Sequence, residues 1–143
     1  MAGILIVAHT PIASAILEFV EHVNSSVPDQ VFAIDVSRSM LAEDVAPNRL
    51  EKSKQIVNQI INKLTSDRVG IVAYAGKAFP QLPITTDYSS AKMFLSNMNT
   101  DMISSQGTAI DEAIQLSTTY FDKNINTSKL LIIISDGEDH NNS

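Results

Sequence analysis

The sequence predicts an α/β fold, a three-layer αβα sandwich around a mostly parallel sheet. Four short apolar runs carry the prediction: residues 3–8 (GILIVA), 31–34 (VFAI), 69–74 (VGIVAY) and 130–134 (LLIII). Their continuous, branched character is that of strands buried on both faces. The segments between them place apolar residues at three- and four-residue spacing, the mark of amphipathic helices. Strands and helices in alternation imply a parallel sheet covered on both sides. At 143 residues, 44% hydrophobic and 18% charged, the chain has the size and composition of one domain with a substantial core.

Each element follows from local chemistry. Pro11 opens a helical pattern with Ile12, Ile16, Phe19, Val20 and Val23 on one side. Residues 24–30 (NSSVPDQ) are turn material, and Pro28 breaks the helix before the second strand. Residues 40–47 form a loop, after which Asn48 and Glu51 have the spacing of a capping box. Leu50, Val57, Ile60, Ile61 and Leu64 are the apolar stripe of that helix, with Lys52, Lys54 and Lys63 on its wet face. Ser66 and Asp67 end it. Gly76 and Lys77 mark a turn, and residues 78–84 alternate as a strand that Pro80 and Pro83 confine to an edge or an isolated ribbon. Asp87 caps a short helix with Ala91, Phe94, Leu95 and Met98 inward; Met93, Met98 and Met102 read as core filler. A loop over 99–107 precedes a helix after Thr108, with Ile110, Ala113, Ile114 and Tyr120 or Phe121 buried. The last strand runs straight into Ser135-Asp136-Gly137-Glu138-Asp139.

Composition excludes several function classes. The chain has no cysteine, so it holds neither a disulfide framework nor a thiolate metal site. A net charge of −6 opposes a nucleic-acid footprint, which needs clustered Lys and Arg, and suits cation binding. No run approaches the roughly 20 apolar residues of a membrane span. The apolar N-terminus lacks a basic leader, and His9, Glu18, Glu21 and His22 follow soon after, so no signal peptide is expected.

The stretch with the most chemistry is 31–40 (VFAIDVSRSM). A strand delivers Asp35, Ser37 and Ser39, one carboxylate and two hydroxyls at alternate positions. In an extended or gently turning chain such side chains leave on one side, so the three oxygens can converge. They make a hard-oxygen half-site suited to Mg²⁺, Mn²⁺ or Ca²⁺. Asp and Ser are also ordinary turn and capping residues. A second strand, 130–134, brings Asp136 to the same kind of place, and ligands of open α/β sheets sit at the carboxyl ends of their strands.

The segments DVSRS at 35–39, SQGTAIDEAI at 105–114 and IIISDGED at 132–139 resemble the three loops of a von Willebrand factor A domain, which build that family's metal ion-dependent adhesion site. The resemblance implies a Rossmann-like sheet with Asp35, Ser37 and Ser39 in the first loop, Thr108 in the second and Asp136 in the third. Two carboxylates would balance one divalent cation, and three hydroxyls would fill much of an octahedron without adding charge. The open position would take an Asp or Glu of a protein partner. On this reading the chain is a binding module and not an enzyme, since no second metal cluster or positioned general base is evident and His140 reads as solvated. Within the family, SMLAEDVAPNRLEKSK and AYAGKAFPQLPITTDYSSAKMFL look like the bacterial aerotolerance (Bat-type) proteins, usually anchored in the inner membrane. For the individual residues plainer roles exist: Ser39 as a turn cap, Thr108 as a helix N-cap, Asp136 as a turn former. Glu43, Asp44, Glu138 and Asp139 read as solvated acids.

Residues 1–23 resemble instead the opening strand and helix of the mannose-type IIA component of the sugar phosphotransferase system, with His9 where that family carries its phospho-accepting histidine. The chain thus reads as one composite domain, a βα unit over 1–30 joined to a truncated A domain over 31–143. Truncation after Asp136 would leave the 130–134 strand with an open edge, and residues 3–8 are expected to fill it as a parallel neighbour, with a right-handed crossover to the next strand. Two other functions follow from the composite: a phosphocarrier using His9, or a chimera with no selected function.

Overall fold

The computed structural model describes residues 3–9, 29–65, 67–105, 107, 109–121 and 129–135, with side chains from residue 29 onward. Its strands are β1 (Gly3–His9), β2 (Asp29–Asp35), β3 (Arg68–Tyr74), β4 (Ala78–Thr85) and β5 (Lys129–Ser135). Its helices are α1 (Arg49–Asn62), α2 (Tyr88–Asn97) and α3 (Ile110–Thr119), with a 3₁₀ turn over Arg38–Leu41. The five strands form one sheet in the order β1-β5-β2-β3-β4. Every pairing is parallel except β3 with β4.

Alternation along the strands divides the core into two layers. On one face Phe32, Ile34, Ile71, Ala73, Leu130, Ile132 and Ile134 meet Leu50, Val57, Ile60 and Ile61 of α1 and Ala91 and Leu95 of α2. On the other, Val31, Ala33, Val72, Tyr74, Leu131 and Ile133 meet Ala113 of α3, with Ile110, Ile114 and Tyr120 packed around them. The three-layer α/β sandwich is therefore the architecture of the described residues.

The capping chemistry works as the spacing predicts. Asn48 Oδ1 accepts the Glu51 N–H at 2.8 Å at the start of α1, and Asp87 Oδ1 accepts the Ser90 N–H at 3.1 Å at the start of α2. The proline-bearing strand lies at the edge. Residues 3–8 do pair in parallel with β5, in register from Gly3 with Lys129 to His9 with Ser135. The expected helix over 11–23, and with it the hand of the crossover, lies outside the described residues.

Three local expectations need correction. Helix α1 ends at Asn62, before Ser66 and Asp67, although Leu64 beyond it is still buried. Met93 is not core filler: it is 53% exposed on α2, whereas Met98 is buried and Met102 packs against the core. Lys54 is not on a wet face, since its side chain is only 11% exposed, pairs with Glu51 at 3.1 Å and donates to the Ser96 carbonyl of α2 at 3.2 Å. The neighbouring helix α2, which offers the Ser96 carbonyl to Lys54, decides this, and the pattern of one helix does not contain it.

Candidate metal site

Asp35 is the last residue of β2 and follows the parity of Val31 and Ala33, so its side chain leaves on the α3 side of the sheet. It is fully buried. Its Oδ1 accepts the backbone N–H of Ser37 at 2.8 Å, the local turn that Asp favours. Of the extended or gently turning path expected for the motif, the chain takes the turn. Ser37 is the N-cap of the 3₁₀ turn that contains Ser39, and it is this turn, not strand alternation, that sets the two hydroxyls 3.0 Å apart. Ser37 is 2% exposed and Ser39 half-buried, while Met40, wholly buried, anchors the turn from below. A buried carboxylate and two adjoining hydroxyls form a hard-oxygen donor set that fits a divalent cation of the Mg²⁺ or Ca²⁺ type. Among the described residues no three His, Cys, Asp or Glu side chains cluster.

The described residues that flank the other two candidate loops lie at the same rim. The Val36 N–H donates to the Tyr74 carbonyl at 2.8 Å, tying the first loop to the end of β3. The turn after β3 holds the second: Gly76 N–H donates to the Ser105 carbonyl at 2.7 Å, and Ala109 N–H to the Ala75 carbonyl at 2.6 Å. Glu112, in the first turn of α3, accepts the Ala78 N–H at 3.1 Å and braces the same turn. Gly107 has φ 127°, a backbone conformation that side chains with a Cβ rarely adopt. Thr108 itself lies outside the described residues, but its neighbours Gly107 and Ala109 do not, and the N-cap position of α3 falls on Ala109. For the third loop, Ile34 is in register with Ile134, so β5 ends at the level of Asp35. Asp136 lies outside the described residues, as do Glu138, Asp139 and His140.

His9 closes β1 in register with Ser135, at that same end of the sheet. Of the acids expected to be solvated, Glu43 is exposed, whereas Asp44 makes a two-pronged ion pair with Arg49 at 2.9 and 3.0 Å. The hydrogen-bonded guanidinium holds the Asp44 carboxyl below the ordinary carboxylate range. Sequence reasoning missed Tyr74, Gly107 and Glu112; of these only Gly107, beside a candidate ligand, carries a local signal.

The von Willebrand factor type A domain family matches residues 30–138. A UPF0353 protein of Mycolicibacterium gilvum is 36% identical over 90 residues, covering 62% of this chain and 27% of its own length. An uncharacterized protein of Borreliella burgdorferi is 30% identical over 114 residues, 79% of this chain and 33% of its own. The chain thus spans a third or less of these curated relatives. Among solved structures, the conserved hypothetical protein BatB from Bacteroides thetaiotaomicron superposes with TM-score 0.77 at 48% identity, over 80% of this chain and 56% of that one. An aerotolerance-related membrane protein from Bacteroides fragilis gives 0.76 at 44% identity, with the same coverage. The vWF domain of the pilus tip protein Mfa5 from Porphyromonas gingivalis shares the fold alone, with TM-score 0.65 at 20% identity.

Proposed function

The chain belongs to the von Willebrand factor type A family, and from that premise we propose that it is a protein-binding module whose contact with its partner runs through a divalent cation. The observation that carries the reading is the buried Asp35 beside a Ser37–Ser39 hydroxyl pair 3.0 Å apart, on the rim where the roots of two further loops arrive. Asp35, Ser37 and Ser39 would hold the cation, joined by Thr108 and Asp136. Mg²⁺ is the physiological choice, with Mn²⁺ or Ca²⁺ able to replace it. When bound, the ion supplies a Lewis-acidic position that an Asp or Glu of the partner protein can occupy. The residues around it do the positioning: Asp35 is fixed by the Ser37 N–H, and the 3₁₀ turn keeps both hydroxyls at hand. The module binds and does not turn over substrate.

Calorimetric titration of the folded chain with Mg²⁺ and Mn²⁺ tests this. One-to-one binding is expected, weakened at least about tenfold in Ser39→Ala and abolished in Asp35→Asn, as loss of a charged ligand demands. A folded wild-type chain that binds neither ion would end the proposal.

A further inference from the structure

Tyr74 is wholly buried at the end of β3 and is in register with Asp35. Its ring sits among Val31, Ala33, Val72, Ala113, Leu131 and Ile133, where a phenylalanine would pack equally well. Its hydroxyl donates to the Ile134 carbonyl at 3.3 Å. That bond passes over β2, the strand between β3 and β5, so it belongs to no ladder and strand pairing does not dictate it. Ile134 stands two residues before Asp136. The Tyr74 carbonyl meanwhile accepts the N–H of Val36, between Asp35 and Ser37, and the next carbonyl, of Ala75, accepts the N–H of Ala109, directly after Thr108. Two consecutive residues thus reach the roots of the first, second and third loops.

We infer that Tyr74 is a positioning residue for the metal site, through which the end of β3 sets the spacing of all three ligand-bearing loops. The inference rests on the metal reading above. Tyr74 touches no cation; its hydroxyl acts through Ile134, while its main-chain carbonyl holds Val36. The Ile134 bond is longer than an ordinary O–H···O bond, which limits its individual strength. Its position counts for more, because small displacements of groups that orient ligands are costly in metal affinity.

The test compares Tyr74→Phe with Tyr120→Phe in the full chain. Tyr120 is a matched control, since its hydroxyl also donates to a backbone carbonyl, that of Ile71 at 3.1 Å, but in the middle of β3. Tyr74→Phe is expected to weaken Mn²⁺ binding about tenfold at unchanged stoichiometry and to alter the Mg²⁺-induced NMR shift of the Asp136 amide. Tyr120→Phe should lower the melting temperature and leave both readouts as in the wild type. Wild-type Mn²⁺ affinity in Tyr74→Phe, or equal weakening in the two variants, would overturn the inference while leaving the metal reading intact. A folded wild type that binds no Mn²⁺ overturns the metal reading, and the inference falls with it. A second measurement needs no variant. Mg²⁺ saturation should slow amide exchange at Val36 and Ala109 together, and slowing at only one of them would count against a shared anchor.

Discussion

Asp67 enters the interior just before β3, where its Oδ2 accepts the side-chain N–H of Gln30 at 3.1 Å. Burial pushes its carboxyl pKa up, the nearby Asp29 charge adds to this, and the Gln30 hydrogen bond opposes it. A carboxyl whose pKa is raised by folding binds its proton more tightly in the native state, so its contribution to stability is present at low pH and lost as pH rises through the folded value. At neutral pH the Asp67 charge therefore opposes the fold. Asp67→Asn, which keeps an acceptor for Gln30, should be more stable than wild type in urea at pH 7, with the gap closing towards pH 4. A gap that does not depend on pH would refute the assignment. At this scale the first candidate loop was legible, because Asp35, Ser37 and Ser39 are neighbours in sequence. Tyr74 was not. Its hydroxyl finds a partner 60 residues away, and inside an apolar run a tyrosine looks like any other core residue.

Helix starts and the edge strand were legible as elements, since caps and proline act within a few residues. What joins elements was not, as Gly70 shows. A Cβ there would lie 2.8 Å from Tyr120 Cδ2 and 3.2 Å from Ile84 Cγ1. Only glycine lets the end of α3 close over β3 and the Tyr120 hydroxyl reach Ile71. Gly70→Ala should cost about 2 kcal/mol in chemical denaturation, the usual range for forcing extra volume into a packed site. A loss below about 0.5 kcal/mol would mean that Tyr120 moves aside freely. In the sequence Gly70 merely interrupts a strand, and nothing local names the ring that needs the space.

For the whole molecule the consequential pairing is β1 on β5. The family match spans residues 30–138, so the strand that covers one side of β5 comes from outside it. β5 is KLLIIIS, with all but its first residue buried, and an open edge on such a strand invites pairing with another chain. A chain beginning at residue 29 should therefore self-associate, eluting early on gel filtration where the full chain does not. If it stays monodisperse, β1 is dispensable as an edge cover. That residues 3–8 would pair here was legible because an apolar strand and a neighbouring vacancy call for each other.

The sequence by itself determined the α/β class, the order of the described strands and helices, the caps, the exclusion of β4 from the sheet interior and the hard-oxygen character of the first loop. These follow from periodicity and from side chains that act on their own backbone, interactions that span at most a few residues. Only the tertiary structure decided that a 3₁₀ turn brings Ser37 and Ser39 together, that Lys54 lies against α2, that Gly70 makes room for Tyr120, and that one tyrosine ties the strand ends beneath the candidate site. Those are contacts between segments far apart in the chain. A hydrogen bond or a close approach across the sheet depends on register and packing, which no single segment encodes.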